Sequence, residues 1–335
     1  MPTTSTHPAQ PARPDPAAQR PAPTVGVDRA TRHGFRGWAA RHPLTAFLLV
    51  LFSIAYPLMA LPILASHGVI PGGSLPAKLN IAPDELAGAL LTFTALLPAT
   101  LFATWATDGR EGLRRLLHRM VHWRVGIGWW LVALAGLPIL TTAIALLLGD
   151  SVKPIDPVDL LVSQVGLWAV NFFVVNLWEE TAWAGFFQSR LERRHNIFVA
   201  AFITAVPFGF VHWPLAFFGD FTAASVAGAL ALYITLGLIF RPMIGVVLRG
   251  AGSSILLVAV LHSMFNRTNN QDGIAASILS GEGRATAIPL AVIVLTTVTA
   301  LVIRRRLSRA HRLHLDAQPL DNTVPAAHPD PRPSH

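Results

Sequence analysis

The chain has 335 residues, 52% of them hydrophobic and only 13% charged, with a formal net charge of +8. Soluble domains carry about 25% charged residues, so water alone cannot solvate this surface, and no folded basic module for nucleic acid is in view. With no cysteine, disulfide frameworks, thiolate metal sites and cysteine nucleophiles are excluded together.

Residues 1–36 are rich in Pro, Ala and Arg without apolar periodicity, and 307–335 are similar. Both read as disordered tails. The first apolar run starts near Leu44, too far in for a cleavable signal and long enough to stay as an anchor. A helix needs roughly 20 mostly apolar residues to span a bilayer. Eight candidates follow in order: 44–65, 85–106, 127–148, 159–188, 197–218, 222–240, 252–266 and 286–303. The seventh is short. The expected fold is all-α: a polytopic transmembrane bundle of about eight spans in one integral domain, 40–305.

Arginines cluster in alternate loops: Arg32, Arg36 and Arg41; Arg110 to Arg124; Arg190, Arg193 and Arg194; Arg241 and Arg249; Arg304 to Arg306. The intervening loops are balanced or acidic. By the positive-inside rule this asymmetry puts both termini in the cytoplasm of a multi-pass cell-membrane protein. Within 108–126, Leu113, Leu116, Leu117, Met120 and Val121 recur at helical spacing opposite arginines. That is the pattern of an amphipathic interfacial helix whose arginines reach lipid phosphates. Pro242 and Gly245 suggest a helix end, and Gly185 a close helix approach.

Ionisable groups in a bilayer cost about 2.5–3.5 kcal/mol each, so they face the bundle and usually serve function. Glu179 and Glu180 lie in the fourth span, His212 in the fifth, and His262 and Asn266 in the seventh. His262 and Asn266 are four apart and share a helix face, as do Phe208 and His212. At 1.5 Å per residue, Glu180, His212 and His262 sit roughly 15, 22 and 15 Å from one membrane face. One cavity can therefore hold all of them. A Glu beside a His can take a proton from water, and a His and an amide can donate to an oxyanion. Glu179, His212 and His262 also make a possible metal set, zinc being the usual occupant of one Glu and two His. No His-Glu-x-x-His helix occurs. Each motif alone could equally be packing: His212 a core histidine, and His262 with Asn266, or Asn171, Asn176 and Gln164, interhelical glue. Trp168, Trp178, Trp183 and Trp213 fit packing or anchoring better than substrate binding.

In order and spacing, Glu179-Glu180, Phe208-x-x-x-His212 and His262-x-x-x-Asn266 resemble the motifs of the CPBP family. These CAAX proteases and bacteriocin-processing proteins include the Ras-converting CAAX endopeptidase. The resemblance covers about 85–270. It implies an intramembrane metallo- or glutamate endopeptidase acting from the cytoplasmic side on a membrane-tethered or hydrophobic peptide. On the matching positions, Glu179 with His212 would activate water, Glu180 would support them, and His262 and Asn266 would stabilise the oxyanion. One departure stands out: the arginine that ends the first family motif is Ala184 here, which removes a fixed cation beside the carboxylates. Arg241 and Arg267 are possible substitutes. Two alternatives follow: a catalytically silent relative serving bacteriocin immunity or membrane assembly, and a proton-coupled transporter using the same residues as a relay. The transporter would show paired halves, and no internal repeat is visible.

Overall fold

A computed structural model describes residues 34–79 and 83–316. Helix α1 is Gly34–Arg41 and α2 is Pro43–Ser66. The long helices that follow are α3 (Leu86–Met120), α4 (Ile127–Leu147), α5 (Pro157–Leu191), α6 (Ile197–Phe217) and α7 (Ala223–Gly250). The last two are α8 (Ile255–Asn269) and α9 (Gly283–Asp316). The one described sheet pairs Ser151 with Ser280 and Val152 with Leu279.

Seven of the described helices are long and apolar enough to cross a membrane. The remaining expected span, the seventh, is α8, whose 15 residues reach only about 22 Å, short of the ~30 Å hydrocarbon core. Its first half is nonetheless wholly internal: Leu257, Val258, Ala259 and Leu261 are fully buried. Lipid does not set the length of a helix whose surroundings are protein.

The chain still traverses the bundle eight times. At one end, Arg119 Nε donates to Ser253 O at 3.0 Å, joining the end of α3 to the turn between α7 and α8. Gly250, at the end of α7, lies against Trp129 of α4 and Ile303 of α9. At the other end, Asp150 after α4 accepts from the backbone N–H groups of Gly283 (2.8 Å) and Arg284 (3.0 Å) at the start of α9. The described flanks of α2 and α9 thus share the arginine-rich end.

Polar caps fix where the site-bearing helices begin. Asp156 accepts from Val158 and Asp159 N–H to start α5, and Asn196 accepts from Phe198 and Val199 to start α6. Thr222 and Ser225 form a capping box on α7, while the Ser254 hydroxyl accepts from Leu257 N–H on α8. Each cap satisfies orphan donors at a helix start. Helices α6 and α7 run in close contact through small residues: a Cβ on Gly209 would come within 3.0 Å of Ile234 N, and one on Gly237 within 3.1 Å of Ala205 O.

Three expectations need correcting. Helix α7 does not end near Pro242 and Gly245 but runs through both to Gly250, because a Cβ at Gly245 would strike the Gln188 side chain at 2.3 Å. The glycine makes room for a neighbour rather than stopping the helix. The amphipathic segment ends at Met120, not 126, and continues α3 past a kink at Gly109 (φ 66°). It also rests on protein: Leu116 and Met120 are buried against Ile255, and Arg119 turns inward to Gly185 O at 2.8 Å. Finally, residues 34–36 and 307–316, assigned to the tails, are helical; the rest of both tails lies outside the described residues.

Because the chain lacks cysteine, single replacements report sidedness cleanly. Ser280→Cys and Ser308→Cys lie at opposite ends of α9, so a membrane-impermeant maleimide should label them from opposite faces. Labelling of both from one face in intact cells would refute the eight-pass path.

Candidate active site

The central element of the site is α5, which is not a uniform helix. The short α-helical stretch Leu177–Ala182, carrying Glu179 and Glu180, is flanked by π-helical turns at Asn171–Asn176 and Trp183–Gln188. On an uninterrupted α-helix, Gln188 would point about 80° away from Glu180 at 100° per residue. The wider π turn takes a smaller angular step per residue and swings Gln188 back to the same face. Such bulges recur at functional sites. Nothing in the apolar periodicity announces them.

Helix α6 brings His212 and α8 brings His262 to this face. His212 Nε2 is 3.5 Å from Glu179 Oε1, and His262 Nδ1 is 3.8 Å from Glu179 Oε2. His262 Nδ1 is also 2.8 Å from Glu180 Oε1. A carboxylate only accepts, so Nδ1 carries the proton and donates to Glu180. His212 Nδ1 lies 2.7 Å from Phe208 O and donates to that carbonyl, which leaves its Nε2 facing Glu179. The phenyl ring of Phe208 packs near both imidazoles, with centroids 4.6 Å from His212 and 6.4 Å from His262.

The second carboxylate is held by a cation from α7. Arg241 Nη1 donates to Glu180 Oε1 at 2.8 Å and to Oε2 at 3.0 Å, and both side chains are wholly buried. The remaining edge of the guanidinium goes to Gln188 Oε1, from Nη2 at 2.9 Å and Nε at 3.2 Å. Gln188 Nε2 in turn donates to Glu192 Oε1 at 3.1 Å. Arg241 therefore occupies the role left open by Ala184. Arg267, the other candidate, is committed elsewhere, to Gln164 Oε1 (3.0 Å) and to Asp272.

An amide pair completes the group. Asn176 Nδ2 donates to Glu179 Oε2 at 3.3 Å, and Asn176 Oδ1 accepts from Ser263 Oγ (3.0 Å) and Asn266 Nδ2 (3.3 Å). All five residues picked from the sequence thus meet in one cluster, Asn266 through Asn176. Gln188 and Ser263 were not singled out. A lone amide in the buried run Phe186-Phe187-Gln188 is the signal that could have found Gln188. Trp183 packs in the core against Phe47 and Phe208, as expected of a packing residue. Gly185 does permit a close approach, since a Cβ there would meet Ile255 Cδ1 at 2.6 Å.

Glu179, His212 and His262 do not fit a metal in this arrangement. Among the described residues no three His, Asp or Glu side chains converge as ligands. His262 directs Nδ1–H, not a lone pair, at the two carboxylates.

Fold and site together define an all-α polytopic membrane protein with a buried Glu/His/Asn cluster drawn from three helices. Residues 161–268 match the family model described as type II CAAX prenyl endopeptidase Rce1-like. The matched segment reaches from α5 to α8 and contains all five motif residues. No curated protein matches the chain significantly.

Removing one member of a buried ion pair leaves an uncompensated charge, at a cost of about 3–5 kcal/mol, whereas replacing both partners by apolar groups costs far less. Arg241→Leu should therefore lower the thermal unfolding midpoint in detergent sharply, and Glu180→Leu/Arg241→Leu should recover most of the loss. Additive losses in the double variant would show that the pair is not coupled.

Proposed function

We propose that this protein is an intramembrane endopeptidase that hydrolyses a membrane-tethered or hydrophobic peptide with water activated by Glu179 and His212. The observation that carries this reading is the approach of His212 Nε2 to 3.5 Å from Glu179 Oε1 inside the Rce1-like segment.

Water donates one proton to the Glu179 carboxylate and is oriented by the lone pair of His212 Nε2. Its oxygen attacks the peptide carbonyl, and the proton passes to the carboxylate as the C–O bond forms. His262 keeps Nδ1–H on Glu180, so its contact with the oxyanion is made from Nε2, as a donor when that nitrogen carries a proton. The C–N bond then breaks, and the leaving amine takes the proton held by the Glu179–His212 pair. Glu180, neutralised by Arg241, touches no reacting atom in this scheme and acts by orienting His262. Asn176 does the same for Glu179, and Asn266 holds Asn176. No step is routed through a metal.

Substrate reaches the cluster from the His212 side, where the imidazole is 22% exposed against 7% for the Glu179 side chain. The arginine-rich end is taken as cytoplasmic on the positive-inside rule, so both termini belong to that compartment, while His212 lies at the opposite end of α6. The silent-relative reading drew its support from Ala184, and the Arg241–Glu180 pair removes that support.

In proteoliposomes supplied with quenched fluorescent peptides, prenylated and unprenylated, Glu179→Gln and His212→Ala should each lower cleavage by at least about 100-fold. Both should remain monodisperse. Asn176→Ala should have a smaller effect, since it positions rather than reacts. Wild-type turnover in a folded Glu179→Gln protein would rule the mechanism out.

A further inference from the structure

At the arginine-rich end, away from the catalytic cluster, a cavity of about 500 Å³ opens between the junction of α1 with α2 and the turn joining α5 to α6. A volume of this size suits a small ligand. Its walls carry Arg41, His42, Arg190, Arg193, Arg194 and His195, with no Asp or Glu among the lining residues. Four guanidinium groups around one concavity repel one another unless an anion sits among them.

One of these groups is held in place before any ligand arrives. Arg190 is nine-tenths buried and anchored from behind by Asp108, with its guanidinium 3.8 Å from the Phe186 ring centroid. Its Nε has no hydrogen-bond partner among the described residues. The main chain of Arg194 and His195 is pinned by N–H groups that donate to Leu191 O at 3.0 and 2.9 Å. Arg41, Arg193 and Arg194 form no salt bridge among the described residues. Pro43, Leu44 and Thr45 of the first turn of α2 also line the cavity, and this 24-residue helix has no side-chain cap at its start. The positive end of its dipole therefore adds to the field.

We infer that this cavity is a binding site for a phosphate group, independent of peptidase activity. Arginine forks match phosphate oxygens in geometry as well as charge. The phosphate can belong to an anionic lipid headgroup, since the cavity lies where the helices reach the membrane surface, or to a free phosphate.

The test uses the full chain purified in neutral detergent. Native mass spectrometry measures retention of phosphatidylglycerol against phosphatidylcholine, and thermal unfolding compares inorganic phosphate with chloride at equal ionic strength. Selective retention of phosphatidylglycerol assigns the site to lipid; stabilisation by inorganic phosphate assigns it to free phosphate. Either effect should fall about tenfold in apparent affinity in Arg193→Gln/Arg194→Gln, and also in Arg41→Gln from the opposite wall. Arg304→Gln/Arg305→Gln, which removes two exposed arginines outside the cavity, should leave it unchanged. The proposal is overturned if neither ligand is preferred, if the cavity variants bind as the unaltered protein does, or if the control pair loses as much as they do.

Discussion

The arrangement of the candidate active site depends on one buried ion pair, Arg241 with Glu180. Two charges in a low-dielectric interior are tolerable only when paired closely and with their remaining hydrogen-bonding capacity satisfied. Both conditions hold: Nη1 spans the two carboxylate oxygens, and the rest of the guanidinium is taken up by Gln188. Because Glu180 is anchored from α7, its Oε1 can receive His262 Nδ1 from α8. One carboxylate thus ties three helices together and sets the tautomer of the imidazole. The adjacent Glu179 is left to face His212.

Several features of the fold serve this pair. The π turn at Trp183–Gln188 aims Gln188 at Arg241. Gly245, one helical turn beyond Arg241, leaves space for the amide. The close contact of α6 with α7 at Gly209 and Gly237 couples the helix bearing His212 to the one bearing Arg241. A helix of only 15 residues suffices for α8 because protein, not lipid, surrounds its first half. In a membrane the apolar face of a helix gains little from burial against another, so small residues and polar contacts carry the association. Here the polar contacts are also those of the candidate site.

Much of this was legible in the sequence. Long apolar runs fix the starts of the spans to within a few residues, since a helix must cover a set thickness of hydrocarbon. The buried Glu, His and Asn positions stand out because lipid penalises them, and four-residue spacing fixes their faces. The helix lengths and the partner of Glu180 were less accessible. Pro242 and Gly245 carry the local signature of a helix end, yet tertiary packing overrides it. The 108–126 segment shows an amphipathic pattern but not the inward turn of Arg119. Arg241 and Arg267 are equivalent in sequence; only the π-helical geometry of α5 and the contact between α5 and α7 distinguish them, and neither leaves a periodic trace.

The central claim is that Arg241, from α7, is the cation on which Glu180 and its contacts depend. Its most direct measurement is charge relocation: peptide cleavage and thermal stability of Arg241→Leu compared with Ala184→Arg/Arg241→Leu. The account expects the single variant to lose both, and the double variant to regain cleavage to within about tenfold of the unaltered protein. A folded double variant no more active or stable than the single one would contradict it.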